Sequence, residues 1–142
     1  MTSQTPRRAY SFQTIDSDEC MTLLESREVG RIAFPGEDGI LVFPVNHVVH
    51  EGHIYFRTSP YALIVEKLQR GGRVSFEVDD VEEFLRAGWS VLVMGTAELV
   101  DPHDALQTLP STHQPDPWAG GSRTVTVRIR PTKVTGRRVL PD

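Results

Sequence analysis

The 142-residue sequence has a single cysteine, Cys20, so no disulfide can form within the chain. Cys20 lies between Glu19 and Met21 in an expected helix, and acidic neighbours favour a buried, unreactive thiol over a nucleophile. No apolar run approaches the roughly 20 residues of a membrane-spanning helix. The opening MTSQTPRRAYSF lacks the apolar centre of a signal peptide, so the cytoplasm is the expected location and no membrane partner is expected. Positive charge is also scarce: 15 Lys and Arg against 19 Asp and Glu leave a net charge of −4, which argues against nucleic acid as a partner. There is no P-loop, no Gly-rich dinucleotide fingerprint and no zinc-finger spacing, and no G-x-S-x-G nucleophile elbow.

What is present is enough for one core: 39% of residues are hydrophobic, and the length suits one domain. Residues 1–15 read as a polar N-terminal arm and residues 16–142 as a single domain. Asp16-Ser17-Asp18-Glu19 opens a helix with a capping aspartate and acids in its first turn; it should end near Ser26–Glu28. VGRIAF reads as a strand and PGEDG as a turn. ILVFPVNHVV reads as a long strand in which Pro44 marks a bulge or an edge.

HEGH predicts a tight hairpin around Glu51-Gly52. The register then follows. His50 faces His53, Val48 faces Tyr55 and Asn46 faces Arg57. Val45, His47 and Val49, with Ile54, Phe56 and Thr58, take the core face.

A helix is expected over about residues 60–70, stopped by Gly71-Gly72. RVSFEVDD reads as a strand with Val74, Phe76 and Val78 on one side, and VEEFLRAG as a loop or short helical turn. GWSVLVMGTAELV is a long strand with a bulge or bend at Gly95. A helix near His103–Leu109 and a Pro- and Gly-rich loop at residues 110–121 follow. The closing strand TVTVRIRP points Val125, Val127 and Ile129 inward and Thr126, Arg128 and Arg130 outward, and KVTGRRV extends it. About six strands joined mostly by short turns predict a mainly β protein, an antiparallel sheet curled into a barrel with peripheral helices.

Arg57-Thr58-Ser59-Pro60 joins a strand to a helix. Pro60 at the first helical position would make Ser59 the N-cap. Free amides, the helix dipole, a hydroxyl and an arginine could then hold a phosphate; plain capping is the alternative. The hairpin register adds Asn46 beside Arg57. His47, His50 and His53 have the spacing of a metal cluster, but the register puts His47 on the opposite face from the other two, so no metal site is expected. His47 reads as a core or interface histidine with one hydrogen bond. The acidic run Glu77, Asp79, Asp80, Glu82 and Glu83 reads as a solvated face. Trp89 could be core, interface anchor or the wall of a ring-binding site.

Taken together, VGRIAF, FPVNHVV, HIYFRTSP, RVSFEVDD, GWSVLVMGTAE and VRIRPTKVTGRR, spread in order over residues 16–138, resemble the pyridoxamine 5′-phosphate oxidase-like family of flavin-binding split barrels. The resemblance implies a six-stranded antiparallel split β-barrel that forms a homodimer with its flavin, usually FMN, at the interface. It implies that Val45 and Asn46 lie along the isoalloxazine ring, that Arg57, Thr58 and Ser59 bind the phosphate, and that Trp89 and Ser90 approach from the partner subunit. Three positions depart from the family's pattern. Tyr61 and Leu63 stand where a glycine and a phosphate-pairing lysine are usual, leaving Lys67, one turn further on, to reach back in part. His47 stands where tyrosine is frequent.

The implied function is an FMN-dependent oxidoreductase acting on a small-molecule substrate, with His47 as the only titratable candidate near the ring for a catalytic role. A deazaflavin-dependent reductase and a non-catalytic flavin-binding or sensing module are the alternatives. A further one is a relative whose pocket is filled by side chains such as Tyr61. The pyridoxamine phosphate oxidase substrate-binding tail is absent, and fold alone does not choose the reaction.

Overall fold

The computed structural model describes residues 10–59, 62–69, 71–110, 114–115 and 124–141. Its elements are β1 (Tyr10–Ile15), α1 (Ser17–Glu25), β2 (Val29–Pro35), β3 (Ile40–His50), β4 (His53–Thr58), α2 (Leu63–Lys67), β5 (Gly72–Glu82), β6 (Ala87–Val100), α3 (Pro102–Thr108) and β7 (Val125–Pro141). The sheet runs β1-β7-β4-β3-β2-β5-β6, all pairings are antiparallel, and β6 pairs back onto β7. The ring that closes therefore contains six strands, β7-β4-β3-β2-β5-β6, as expected for a split barrel. The seventh strand, β1, lies outside it.

That extra strand is the last part of the stretch read as a polar arm. Tyr10–Ile15 pairs with residues 136–141 of β7, beyond the segment 125–129 that pairs with β4. β7 is long enough, at 17 residues, to hold β4 and then β1 along one edge and β6 along the other. Backbone donors that β4 leaves open are satisfied by β1, so the chain covers its own sheet edge.

Alternation builds the interior. Ile32, Phe34, Val49, Ile54, Phe56, Val74, Phe76, Val78, Val91, Val93, Val127 and Ile129 are all buried in one cluster. Gly95 sits at the register shift between β6 and β7. A Cβ there would lie 2.2 Å from the Arg130 carbonyl oxygen, so the bulge admits only glycine. Asp16 caps α1 by accepting from the Glu19 amide at 2.8 Å, and the helix ends at Glu25 with Ser26 as its C-cap. Cys20 is fully buried against β7 and its thiol pKa is raised, by burial first and then by Asp16 and Glu19, as expected of an inert thiol.

Two local expectations are corrected and a third is refined. Residues 79–88, covering the VEEF segment, are hairpin: β5 extends to Glu82, β6 starts at Ala87, and Val81 pairs with Gly88. Thr126 is on the outward face as expected but is buried there, because the outer face of the barrel near it is roofed by α3, where Tyr55, Val100, Ala105 and Leu109 form a second apolar cluster. And α2 is a five-residue helix capped by Ala62, with no side-chain cap. Ser59 is not its N-cap; the Ser59 carbonyl instead accepts from the Ala62 amide at 3.0 Å, closing a turn ahead of the helix. Pro60 and Tyr61 lie outside the described residues, as does most of the 110–121 loop.

Candidate functional site

The Glu51-Gly52 hairpin forms with both turn residues at positive φ, 48° and 77°, as a two-residue turn matched to strand twist demands. The register is the expected one from His50↔His53 through His47↔Phe56. There it stops. Asn46 and Arg57 do not pair: β3 continues alongside β2 to Ile40, while Arg57 and Thr58 pair with Thr126 and Val125 of β7. The two strands part, and the barrel splits between them.

Pro44 gives a physical reason for the split. The His47 amide donates to Glu28, on the β2 side. Amides alternate along a strand, so the even positions of β3, including 44, face β4. Proline has no amide hydrogen to offer there, so the ladder, which stops after His47, does not resume at Pro44. Pro44 is thus an edge residue toward β4, while it pairs in register with Arg31 of β2.

A cavity of about 340 Å³ opens in the split. Val45, Phe56 and Thr58 face it from β3 and β4, Leu63 and Ile64 from α2, and Phe34 from β2. Among the described residues, Thr58 is the only polar side chain in its wall. An apolar cleft of this size with one or two polar groups suits a flat ring. Leu63, the first residue of α2, lines the cavity and is 53% exposed, so an apolar side chain stands at its mouth.

The expected phosphate residues divide between two faces. Thr58 lines the cavity. Arg57, next in the strand, points to the α3 side, where its Nη2 donates to Gln114 Oε1 at 2.6 Å. Gln114 is held in turn by donation from Nε2 to the Leu109 carbonyl at 3.0 Å. Gln114 carries no signal in the sequence that would have paired it with Arg57. Ser59 follows Thr58 and is half-buried, and Lys67, in the last turn of α2, is exposed. Asn46 is half-buried beside Val45.

His47 is a core residue with one side-chain hydrogen bond, as expected. It is 5% exposed. Its Nε2 donates to the Leu24 carbonyl at 2.8 Å, and its ring meets Phe76 edge-on at 4.9 Å. Nδ1 is buried with no partner among the described residues. Burial lowers its pKa below the usual value, against the smaller opposing effect of the backbone hydrogen bonds. His47 does not line the cavity. No group of three metal-ligating side chains occurs among the described residues.

Trp89 and Ser90 lie elsewhere. They line a second pocket, of about 470 Å³, at the end of the β5–β6 hairpin, together with Val81, Glu83, Arg86 and Arg137. Among the described residues, the two pockets share no lining residue. Within one chain the expected site residues therefore fall in two separate pockets, Val45 with Thr58 and Trp89 with Ser90.

Comparison with known proteins gives this arrangement its context. Residues 16–138 match the family model described as pyridoxamine 5′-phosphate oxidase. An uncharacterized protein of Mycobacterium tuberculosis is 34% identical, over 96% of this chain and 91% of its own. A Corynebacterium glutamicum crystal structure is 30% identical with a TM-score of 0.74, covering 92% of this chain and 95% of that one. The structure of an FAD-binding protein from Mycobacterium smegmatis is 31% identical with a TM-score of 0.67, covering 90% and 98%. No helix among the described residues is long and apolar enough to cross a membrane. With its six-stranded split ring and a match over nearly its whole length, the chain belongs to the pyridoxamine 5′-phosphate oxidase family.

Proposed function

We propose that this protein is a cytoplasmic, homodimeric flavin-dependent oxidoreductase that uses FMN and acts on a small-molecule substrate. The observation that carries the reading is the apolar cavity in the split between β3 and β4. The isoalloxazine ring would lie along Val45 and Asn46. Thr58 and Ser59 would hold the phosphate end, and Arg57 would add its charge by exchanging Gln114 for a phosphate oxygen. A bound flavin supplies the hydride-transfer chemistry; the protein orients the ring and excludes water.

The two separate pockets support the homodimer. A two-fold axis that sets one protomer's Trp89 and Ser90 against the other's cavity completes two equivalent sites at once. Phe12, Val81 and Phe84, exposed by 67%, 65% and 89% near the second pocket, are apolar surface that such an interface would cover.

Leu63 favours a second reading, in which the cofactor is a flavin with a longer tail, FAD or a deazaflavin, that relies less on a compact phosphate pocket. The Mycobacterium smegmatis relative is described as FAD-binding. The function is tested by loading the protein with each flavin and offering a nicotinamide or reduced deazaflavin donor. Reduction of the bound flavin supports an oxidoreductase. A loaded protein that accepts electrons from neither donor is a flavin-binding module instead.

A further inference from the structure

The β2–β3 wall of the cavity is joined to the rest of the ring by its shortest ladder. Ile32 and Phe34 of β2 and Phe43 and Val45 of β3 line the cavity. β2 meets β5 through three residue pairs only, Arg31↔Glu77, Ile32↔Phe76 and Ala33↔Ser75. Every other ladder of the ring is longer. Beyond Arg31 the two strands part, and a polar cleft of about 440 Å³ opens between Arg27, Glu28, Arg31, Asp79 and Asp80.

Side chains tie the strands where the backbone ladder ends. Arg31 Nη1 donates to Glu77 Oε1 at 3.4 Å and to Asp79 Oδ2 at 3.3 Å, and Arg27 pairs with Asp80. Glu77 and Asp79 are two places apart on β5, so both carboxyls leave the same face. They lie within hydrogen-bonding reach of each other. One guanidinium therefore meets two carboxyls. With both ionised, the group carries a net negative charge and the carboxylates repel; one shared proton removes the excess. The Glu77 carboxyl is accordingly pushed up to about 7, by burial first and then by Asp79, against the lowering effect of Arg31.

The flanking strands bring no charge to the group. β6 sets Leu92 opposite Glu77 and Ser90 opposite Asp79, and β3 sets Pro44 opposite Arg31. Further along the same face lie Arg73 on β5 and Lys133 and Arg137 on β7, the last turned to the Phe12 ring. His47, the titrating side chain of β3, is buried on the core face.

We infer that Arg31, Glu77 and Asp79 form a proton-operated clasp on the β2–β5 seam: a proton shared between the carboxyls holds the cavity wall, and its loss loosens the wall. Opening the seam returns Glu77 to solvent and to the ordinary carboxylate range, so opening releases the proton. It becomes easier as pH rises from about 4.5 to about 7 and levels off above that. The clasp does not depend on which ligand the cavity receives.

Amide hydrogen exchange of the full chain, resolved by NMR, tests this. Glu77→Gln keeps the protonated shape at every pH. Comparing it with wild type at equal pH cancels the intrinsic exchange rate and the separate titration of His47. At pH 5 the two protect the amides of residues 31–33 and 75–77 equally. At pH 8 wild type protects them roughly 3–5-fold less, the size expected of a partly exposed ion pair, while amides of the β6–β7 ladder differ by less. Asp79→Asn lowers the midpoint of the Glu77 carboxyl-carbon titration toward the ordinary carboxylate range. A difference that is the same at pH 5 and pH 8, or that is spread evenly over the β6–β7 ladder, overturns the clasp. So does a wild-type Glu77 carboxyl that titrates with the ordinary carboxylates.

Discussion

Arg57 Nη2 donates to Gln114 Oε1 at 2.6 Å, while its neighbour Thr58 faces the opposite way and lines the cavity. One dipeptide thus serves two faces of the barrel. If Arg57 turns to the phosphate when the cofactor binds, Gln114 competes with the ligand. Arg57→Ala is expected to weaken FMN binding by about 1.5–3 kcal/mol, the worth of a charged hydrogen bond. Gln114→Ala removes the competitor and should tighten binding. Calorimetric titration of both variants decides: unchanged affinity in both means that Arg57 serves only to anchor Gln114.

Leu63→Lys places an ammonium at the cavity mouth. The position is the first of α2 and half exposed, so lysine fits without burying its charge. FMN should bind more tightly by about 1–2 kcal/mol, and riboflavin by much less. No gain for FMN would mean that its phosphate lies away from α2.

His47 makes stability depend on pH. Burial lowers its folded pKa below the ordinary 6.5, so the folded state favours the neutral ring. Its contribution is full above 6.5 and is lost as pH falls below that value. Glu77 acts in the other direction. Its carboxyl is pushed up to about 7, by burial first and then by Asp79, against the lowering effect of Arg31, so its contribution is present below 4.5 and lost as pH rises through 7. Glu77 is partly exposed, and screening keeps its effect at or below about 1 kcal/mol. His47→Gln should be less stable than wild type at pH 8, and the gap should narrow at pH 5. Urea unfolding at the two pH values checks this; a gap independent of pH contradicts a neutral buried imidazole.

Glu51 occupies a left-handed conformation, φ 48°, at the tip of the β3–β4 hairpin. Asparagine tolerates that region better than glutamate. Glu51→Asn should raise stability by about 0.5–1 kcal/mol, read as a shift in the urea midpoint with unchanged slope.

The parts legible in the sequence were those dictated by local chemistry. Asp16 as cap, Glu51-Gly52 as turn, Gly95 as bulge, and the alternation of Val74, Phe76 and Val78 all follow from spacing and residue type. What was not legible depends on distant partners. Nothing within Tyr10–Ile15 states that the end of β7 is free to pair with it. Thr126 and Tyr55 are buried only because α3 folds over that face. Pro60 pointed to a helix starting at once, whereas the helix is capped by Ala62, so the proposed amide cradle next to Ser59 did not form as expected. At the site, the register from His50 and His53 through His47 and Phe56 was readable, but its reach to Asn46 and Arg57 was not. Pro44 held part of the clue, since a missing amide on the β4 side keeps the ladder from resuming beyond Asn46.

The central claim is that the cavity between β3 and β4 receives a flavin. The direct measurement is a titration of the purified protein with FMN, FAD and a deazaflavin, followed by absorbance and flavin fluorescence. Saturable binding of FMN near one per chain, lost on replacing Val45 with a bulky Trp that fills the cavity, is the predicted result. Binding of none of the three by a folded protein contradicts the account.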